Sequence, residues 1–358
     1  MRKSKVLLLL IALITWGGSL AKAELKKGSK KVAKKYAVYG VGFYNLENLF
    51  DTCHDNGKDD YEFLPDGANK WTSEKYTNKL RNMARALADM GTDKLPGIGC
   101  AAIGVAEVEN ARCLTDLCNQ EPLKARGMRF VHQEGPDHRG IDCALLYNPS
   151  LFTVRNTKLV PYIYKLPQDS TRATRGFWVV SGTMAGEHVT IIVTHLPSRG
   201  APSYYREEGG RQLKAVRDSV IASDPKVKLL IMGDMNDDPQ DASMAKWLRG
   251  KRDINQVEEG DMYNPWWNVL ASGKGTLTYK GAWNLFDQIL LSPSLLNQGS
   301  KKDYSTLKLF SHQVFRRSYL IQQEGDYRGN PLRTHAGGKW LNGYSDHLPT
   351  LVYLIKNK

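Results

Sequence analysis

Ten polar residues stand at the ends of apolar runs in this chain, and their types decide what they could do together. "VGFYNLEN" closes with Asn45 and Glu47, and "IGVAEVEN" with Glu107 and Glu109. "IIVTHLPSR" carries His195, "LLIMGDMNDD" Asp234 and Asn236, "NLFDQILLS" Asp287, and "GYSDHLP" Asp346 and His347. One polar strand end is ordinary turn chemistry. Six such ends, gathered on the rim of a sheet, converge on a single cleft. Carboxylate and amide oxygens suit Mg²⁺ or Mn²⁺, ions that keep several waters and leave positions for phosphate oxygens. Asp234 and Asn236 are two apart, so in extended chain their side chains face the same way. One can take a proton from an attacking water while the other orients it. A histidine beside a carboxylate donates a proton or steadies a phosphate oxygen. The set reads as metal-assisted phosphoester hydrolysis by direct attack of water.

No nucleophile elbow, Gly-rich phosphate loop or Cys–His arrangement offers a rival chemistry. The adjacent letters Ser345-Asp346-His347 suggest a hydrolase triad, which needs its three side chains in line within hydrogen-bond reach. Neighbours in extended chain point to opposite sides, so the three cannot meet. Ser345 reads instead as a turn or capping hydroxyl, with Asp346 and His347 on separate faces.

The elements that must hold these groups are visible as strand-length apolar runs at 36–46, 100–108, 141–147, 177–184, 188–196, 227–234, 285–292 and 350–355. Most are near-continuous, as in strands covered on both faces. Between them, residues 73–90 carry a helical stripe of Leu80, Met83, Ala84, Leu87 and Met90. Residues 204–223 form a second helical pattern, with a weak point at Gly209-Gly210, and 241–250 a third. About eight strands with interspersed helices predict a layered α/β or α+β domain with two sheets. Neither an internal repeat nor a Pro/Gly-rich linker divides it. Residues 293–342 are polar and rich in Arg and Tyr, and loops of that length in a compact domain are functional or disordered.

The chain opens with a basic start (Arg2, Lys3, Lys5), an apolar run from Val6 to Trp16 and the small-residue pattern Ala21-Lys22-Ala23. That is the layout of a cleavable signal peptide, with cleavage expected after Ala23 and the mature protein secreted or periplasmic. The formal charge of +13 falls to +9 once Arg2, Lys3, Lys5 and Lys22 are removed. Six further lysines lie between Lys26 and Lys35, so residues 24–35 read as a solvated arm and the body from 36 to 358 is only weakly basic. Such a balance permits a polyanionic partner without requiring one. Cys53, Cys100, Cys113, Cys118 and Cys143 are an odd set, so at least one thiol stays free in an oxidising compartment. Cys143, in "IDCALLY", is expected to be buried and unpaired. No Cys/His spacing resembles a zinc site.

Taken in order, "FYNLENLF", "GVAEVEN", "RGIDCALLY", "VTHLPSR", "GDMNDDP", "FDQILLS" and "GYSDHLP" resemble the endonuclease/exonuclease/phosphatase superfamily. The resemblance runs from about Tyr36 to Leu354 and implies a four-layered α/β/β/α sandwich of two packed mixed β-sheets. It implies Glu107 as a metal-binding glutamate, Asn45 beside it, and Asp346 as a further carboxylate on the metal side. It makes Asp234 the residue that activates water and Asn236 the one that orients it. His195 becomes a general acid or a stabiliser of the leaving oxygen, and Asp287 the partner that orients His347 against the scissile phosphate. Arg139 is either a substrate-side contact or half of a structural pair with Asp142. Arg199 is either a phosphate contact or a solvated loop residue, and Trp283 either stacks on a substrate ring or is partly buried.

The first functional reading is therefore a secreted, monomeric, Mg²⁺-dependent phosphodiesterase acting as an endo- or exonuclease. The second is a phosphatase or sphingomyelinase-like enzyme acting on phosphorylated small molecules or lipid headgroups, since one catalytic core serves both. The third is a non-catalytic surface protein binding polyanions, which would not need the acid and histidine set to be complete.

Overall fold

A computed structural model describes residues 35–166 and 170–358. The expected signal peptide (1–23) and residues 24–34 of the arm lie outside the described residues. The apolar runs form β1 (Tyr36–Leu49), β2 (Cys100–Val108), β3 (Arg129–Val131) and β4 (Asp142–Tyr147). With two later strands they build a six-stranded sheet in the order Lys308–Val314, Thr350–Asn357, β1, β2, β4, β3. A second sheet runs β5 (Phe152–Lys165), β6 (Thr171–Met184), β7 (Glu187–His195), β8 (Lys228–Asp234), then Asp287–Leu291, Met262–Tyr263 and Gly250–Lys251. Both sheets are mixed: β1 and β2 are parallel, as are β7 and β8, while β8 and Asp287–Leu291 are antiparallel.

The two sheets bury Val41, Phe43, Trp178, Ile191, Val193, Met232 and Ile289 between them. Each such side chain taken out of water contributes about 1.5–3 kcal/mol. The sheets approach so closely at Gly104 that a Cβ there would meet Met232 Sδ at 2.6 Å. Helices α1 (Ser73–Asp89) and α2 (Ala111–Cys118) cover the outer face of the first sheet with Leu80, Met83, Leu87, Leu114 and Leu117. The helix Ser203–Ser223 covers the second through Tyr205 and Leu213. The layers are thus α/β/β/α, as the resemblance implied.

Some local expectations differ from the structure. The helix Ser203–Ser223 runs unbroken through Gly209-Gly210. There the two glycines allow contact: a Cβ on Gly209 would meet Leu196 Cδ2 at 2.7 Å, and one on Gly210 the Ser243 carbonyl at 2.5 Å. Packing outweighs helix propensity here. The region 241–250 holds only a π-turn, Ser243–Trp247. β5 was not legible, because it is an edge strand that exposes Arg155, Asn156, Thr157 and Lys158 in place of an apolar run. Pro161 sits at its register shift, where no ladder N–H is needed. All five cysteines are free, and Cys143 is buried.

Candidate active site

His195, Asp234 and Asp287 are register partners across three neighbouring strands: His195 lies opposite Asp234, and Asp234 opposite Asp287. The row stands at the strand ends of the second sheet. The first sheet contributes through two irregularities. Glu107 occupies a bulge between Ala106 and Val108 with φ +59°, and Glu47 and Asn48 break the β1–β2 register with φ +48° and +57°. A bulge re-aims its side chain, and left-handed backbone on non-glycine residues is strain of the kind concentrated at functional sites. Asn236, with φ +50°, is another.

Asp234 is the hub. Its Oδ1 accepts from Asn236 N–H (2.9 Å) and its Oδ2 from the Asn45 amide nitrogen (2.9 Å). The same amide nitrogen donates to Glu107 Oε1 at 3.2 Å, while the Asn45 oxygen accepts from Glu47 N–H at 2.9 Å. Asn45 therefore serves the acids as a donor, and its oxygen is committed to the backbone. Glu107 also accepts from Asn48 N–H at 3.0 Å. The Asn236 amide donates to the Leu196 carbonyl at 2.9 Å.

The stretch Ser345-Asp346-His347 bends instead of extending, so Asp346 and His347 both line the cleft, contrary to the expectation of separate faces. Ser345 Oγ donates to the Asn45 carbonyl (2.7 Å) and accepts from His347 N–H (3.1 Å), which makes it the local brace. His347 Nδ1 pairs with Asp287 Oδ2 at 2.7 Å; its Nε2 lies 3.8 Å from Asp234 Oδ2 and 3.9 Å from Asp346 Oδ1. His195 Nε2 lies 3.5 Å from Asp234 Oδ2 and 3.9 Å from Glu107 Oε1.

Electrostatics separates the two histidines. Burial opposes charge on His347, but Asp287, Asp234 and Asp346 outweigh it and hold its pKa well above the ordinary value. Burial, with Arg175 and Arg139 nearby, holds that of His195 well below. His195 Nδ1 is buried without a hydrogen-bond partner. Burial raises Asp234 to about 7, close to where a general base works best.

The cleft has a volume of about 380 Å³ and is lined by Glu107, Arg139, His195, Asp234, Asn236, Asp346 and His347, among others. Asn45 and Asp287 lie beneath it, fully buried. Arg139 reaches it by donating to Asn48 Oδ1 at 2.6 Å, and Asp142 pairs with His132 at 3.1 Å, so the two do not form the alternative Arg–Asp pair. Arg199 is held by Asp238 (3.0 Å) and Asp241 (2.6 Å) over the Phe286 ring, outside the cleft lining. Trp283 packs partly buried against the first core beneath Arg316, also outside that lining.

The sequence assigns no role to three supports, though Arg333 lies in the Arg-rich segment expected to border the cleft. Arg175 donates to the His195 and Leu196 carbonyls and to Asp137 at 2.9 Å, fixing the strand end that bears His195. Arg333 bridges Glu47 (3.1 Å) and Asp346 (3.2 Å). Lys79, fully buried in α1, donates to Thr334 Oγ1 and the Tyr344 carbonyl, both at 2.5 Å. Burial lowers it to about 8, despite the acids beside it.

The donor set fits a divalent cation. Glu107, Asp346 and Asp234 line one cleft with Asp287 beneath it, burial raises both Asp234 and Glu47 to about 7, and Asp287 Oδ1 is buried without a partner. Carboxylate charge gathered this closely is what a divalent cation would balance: ligand atoms of Glu107, His195 and Asp234 lie within 4.8 Å of one another, and Asp346 lines the same cleft.

The profile of the endonuclease/exonuclease/phosphatase family matches residues 40–356. The chain belongs to this family. Members of it are metal-dependent phosphoester hydrolases, and so is this protein. Searched against curated proteins, the sequence finds no match. Solved structures show the shared fold. An endonuclease/exonuclease/phosphatase family protein of Bacteroides thetaiotaomicron is 14% identical with a TM-score of 0.54, covering 90% of this chain and 99% of that one. A mannosyl-6-phosphatase of the same organism is 14% identical with a TM-score of 0.53, covering 88% and 99%. TDP2 of D. rerio, solved with a single-strand DNA product, is 14% identical with a TM-score of 0.51, covering 89% and 99%.

Proposed function

We propose that this family member is an exported, Mg²⁺-dependent phosphoesterase that cleaves its substrate by direct attack of water. The observation that carries this reading is Asp234, fixed on both oxygens by Asn236 and Asn45 and flanked by two histidines of opposite character. Asp234 takes the proton of the attacking water, a role of about 10²–10⁴-fold in rate for a placed base. Asn236 holds that water. His347, kept cationic by Asp287, presents Nε2–H to a phosphate oxygen, and Arg139, on the same cleft lining, supports that group. A Mg²⁺ ion held by Glu107 and Asp346 would supply charge neutralisation at the phosphoryl oxygens.

On substrate, the cleft favours a small phosphoester over a long polyanion. Ten Lys or Arg and one Glu in residues 1–35 carry +9 of the formal net charge of +13, whereas the wall of the cavity beside the cleft exposes Asp59 and Glu62. A nucleic acid strand is the second reading, supported by Arg139, Arg172 and Arg175 on the cleft lining and by the DNA product in the TDP2 structure. Phosphate release from small monoesters and strand cleavage of 5′-phosphorylated oligonucleotides, with Mg²⁺ or with excess chelator, test the proposal. Release that persists in chelator would overturn the metal assignment, and faster oligonucleotide cleavage would reverse the two substrates.

A further inference from the structure

A second cavity, about 500 Å³, opens beside the catalytic cleft and shares His138 and Arg139 with it. Its other wall is the loop around residues 59–68, which contributes Asp59, Tyr61 and Glu62. Tyr61 is 58% exposed, yet its ring is not free: it stacks on His54 with centroids 4.6 Å apart and planes 22° off parallel. His54 is in turn held by Asp60 at 2.5 Å. The wall itself is fixed. Asp59 N–H donates to the His138 carbonyl at 2.8 Å, and Lys58 Nζ ties the loop to the carbonyls of Gly135 and Asp137. A Cβ on Gly67 would strike the Tyr61 carbonyl at 2.0 Å, so the turn tolerates no side chain there. Asp59 and Glu62 form no ion pair among the described residues and keep their carboxylates open to solvent.

An immobilised aromatic face, two open carboxylates, a guanidinium and an imidazole are a mixed set. Carboxylates accept from hydroxyls, Arg139 and His138 donate to them, and the ring covers an apolar face. A quaternary ammonium would suit the ring and the acids but meets Arg139 in the same cavity. A second phosphate would meet Asp59 and Glu62. A neutral polyhydroxylated ring satisfies every member. We propose that this cavity is the leaving-group subsite of the enzyme and binds the sugar ring of a hexose phosphate whose phosphate occupies the catalytic cleft. The inference rests on the phosphoester-hydrolase reading. Arg139, common to both cavities, spans the junction of sugar and phosphate.

The test uses the full chain with Mg²⁺ and three substrates: a hexose 6-phosphate, ethyl phosphate and a 5′-phosphorylated oligonucleotide. Tyr61→Ala and Glu62→Gln should each lower kcat/KM for the hexose phosphate tenfold or more, chiefly through KM. That loss should exceed the loss on ethyl phosphate at least tenfold. Equal losses on the two monoesters, or an oligonucleotide hydrolysed faster than the hexose phosphate by the native enzyme, would overturn the proposal. If the native enzyme neither releases phosphate from any of them nor cleaves the oligonucleotide, the hydrolase reading fails, and the subsite is then judged by free hexose alone. In saturation-transfer NMR, a hexose signal that Tyr61→Ala abolishes upholds the subsite, and no signal with the native chain overturns it.

Discussion

The site has two flanks, each a histidine at almost the same distance from one oxygen of Asp234: His195 at 3.5 Å and His347 at 3.8 Å. Their surroundings give them different protonation. On the His347 flank, Asp287 takes the far ring nitrogen at 2.7 Å and three carboxylates outweigh burial. On the His195 flank the far nitrogen has no partner, burial is unopposed, and Arg175 and Arg139 add positive charge. Distance to the shared carboxylate therefore does not decide protonation; the partner of the remote nitrogen does. The flanks divide the work accordingly: a cationic donor on one side, a neutral imidazole on the other.

That division can be broken at its centre. Asp234→Asn removes the base shared by both flanks and should lower turnover about 10³-fold, within the range of a placed general base, with Tm little changed. Phosphate release and a thermal melt measure both. The next largest effect is expected from Asp287→Asn, which keeps the shape of the His347 flank but not its charge. Turnover should fall about 10²-fold, and the alkaline limb of the pH–rate profile should move to lower pH as His347 reverts toward an ordinary imidazole. A turnover near native would show that the charge of His347 is idle. His195→Gln should cost less than either, because it removes a neutral group that supplies no formal charge.

The smallest effects are on stability, and here the two histidines oppose each other. His347 binds its proton more tightly in the folded chain than in the unfolded one. Its stabilisation is full below about pH 6.5, the ordinary histidine value, and is lost as pH rises through the raised folded pKa. His195 is the reverse. Below about pH 6.5 the unfolded chain takes a proton that the folded chain refuses, so stability is lost as pH falls toward the depressed folded value. His347→Gln should flatten the alkaline limb of the urea midpoint between pH 5 and 9, and His195→Gln the acid limb. Loss of the same limb in both variants would erase the distinction.

Much of this architecture was legible in the sequence. The buried strands read clearly because both their faces are apolar, and the polar residues at their ends mark the rim where the sheets converge. β5 escaped because an edge strand shows its charged face to water. Asp346 and His347 were expected on opposite faces from strand geometry, yet the chain bends there, with Ser345 bracing the bend against the Asn45 carbonyl. The supports were less legible still. Arg175, Lys79 and Arg333 act through carbonyls and acids far away in sequence, and Lys79 lies 255 residues from its hydroxyl partner Thr334. No local pattern of residue types records such a contact. The Tyr61 wall was equally silent, since a tyrosine between acids reads as solvated loop until its ring is seen fixed on His54.

The opposed flanks can be read directly from the ring nitrogens of the full chain labelled with ¹⁵N-histidine at pH 7. The account predicts one buried imidazolium, protonated on both nitrogens and lost in His347→Gln, and one buried neutral imidazole lost in His195→Gln. Two neutral rings, or two charged ones, would contradict it.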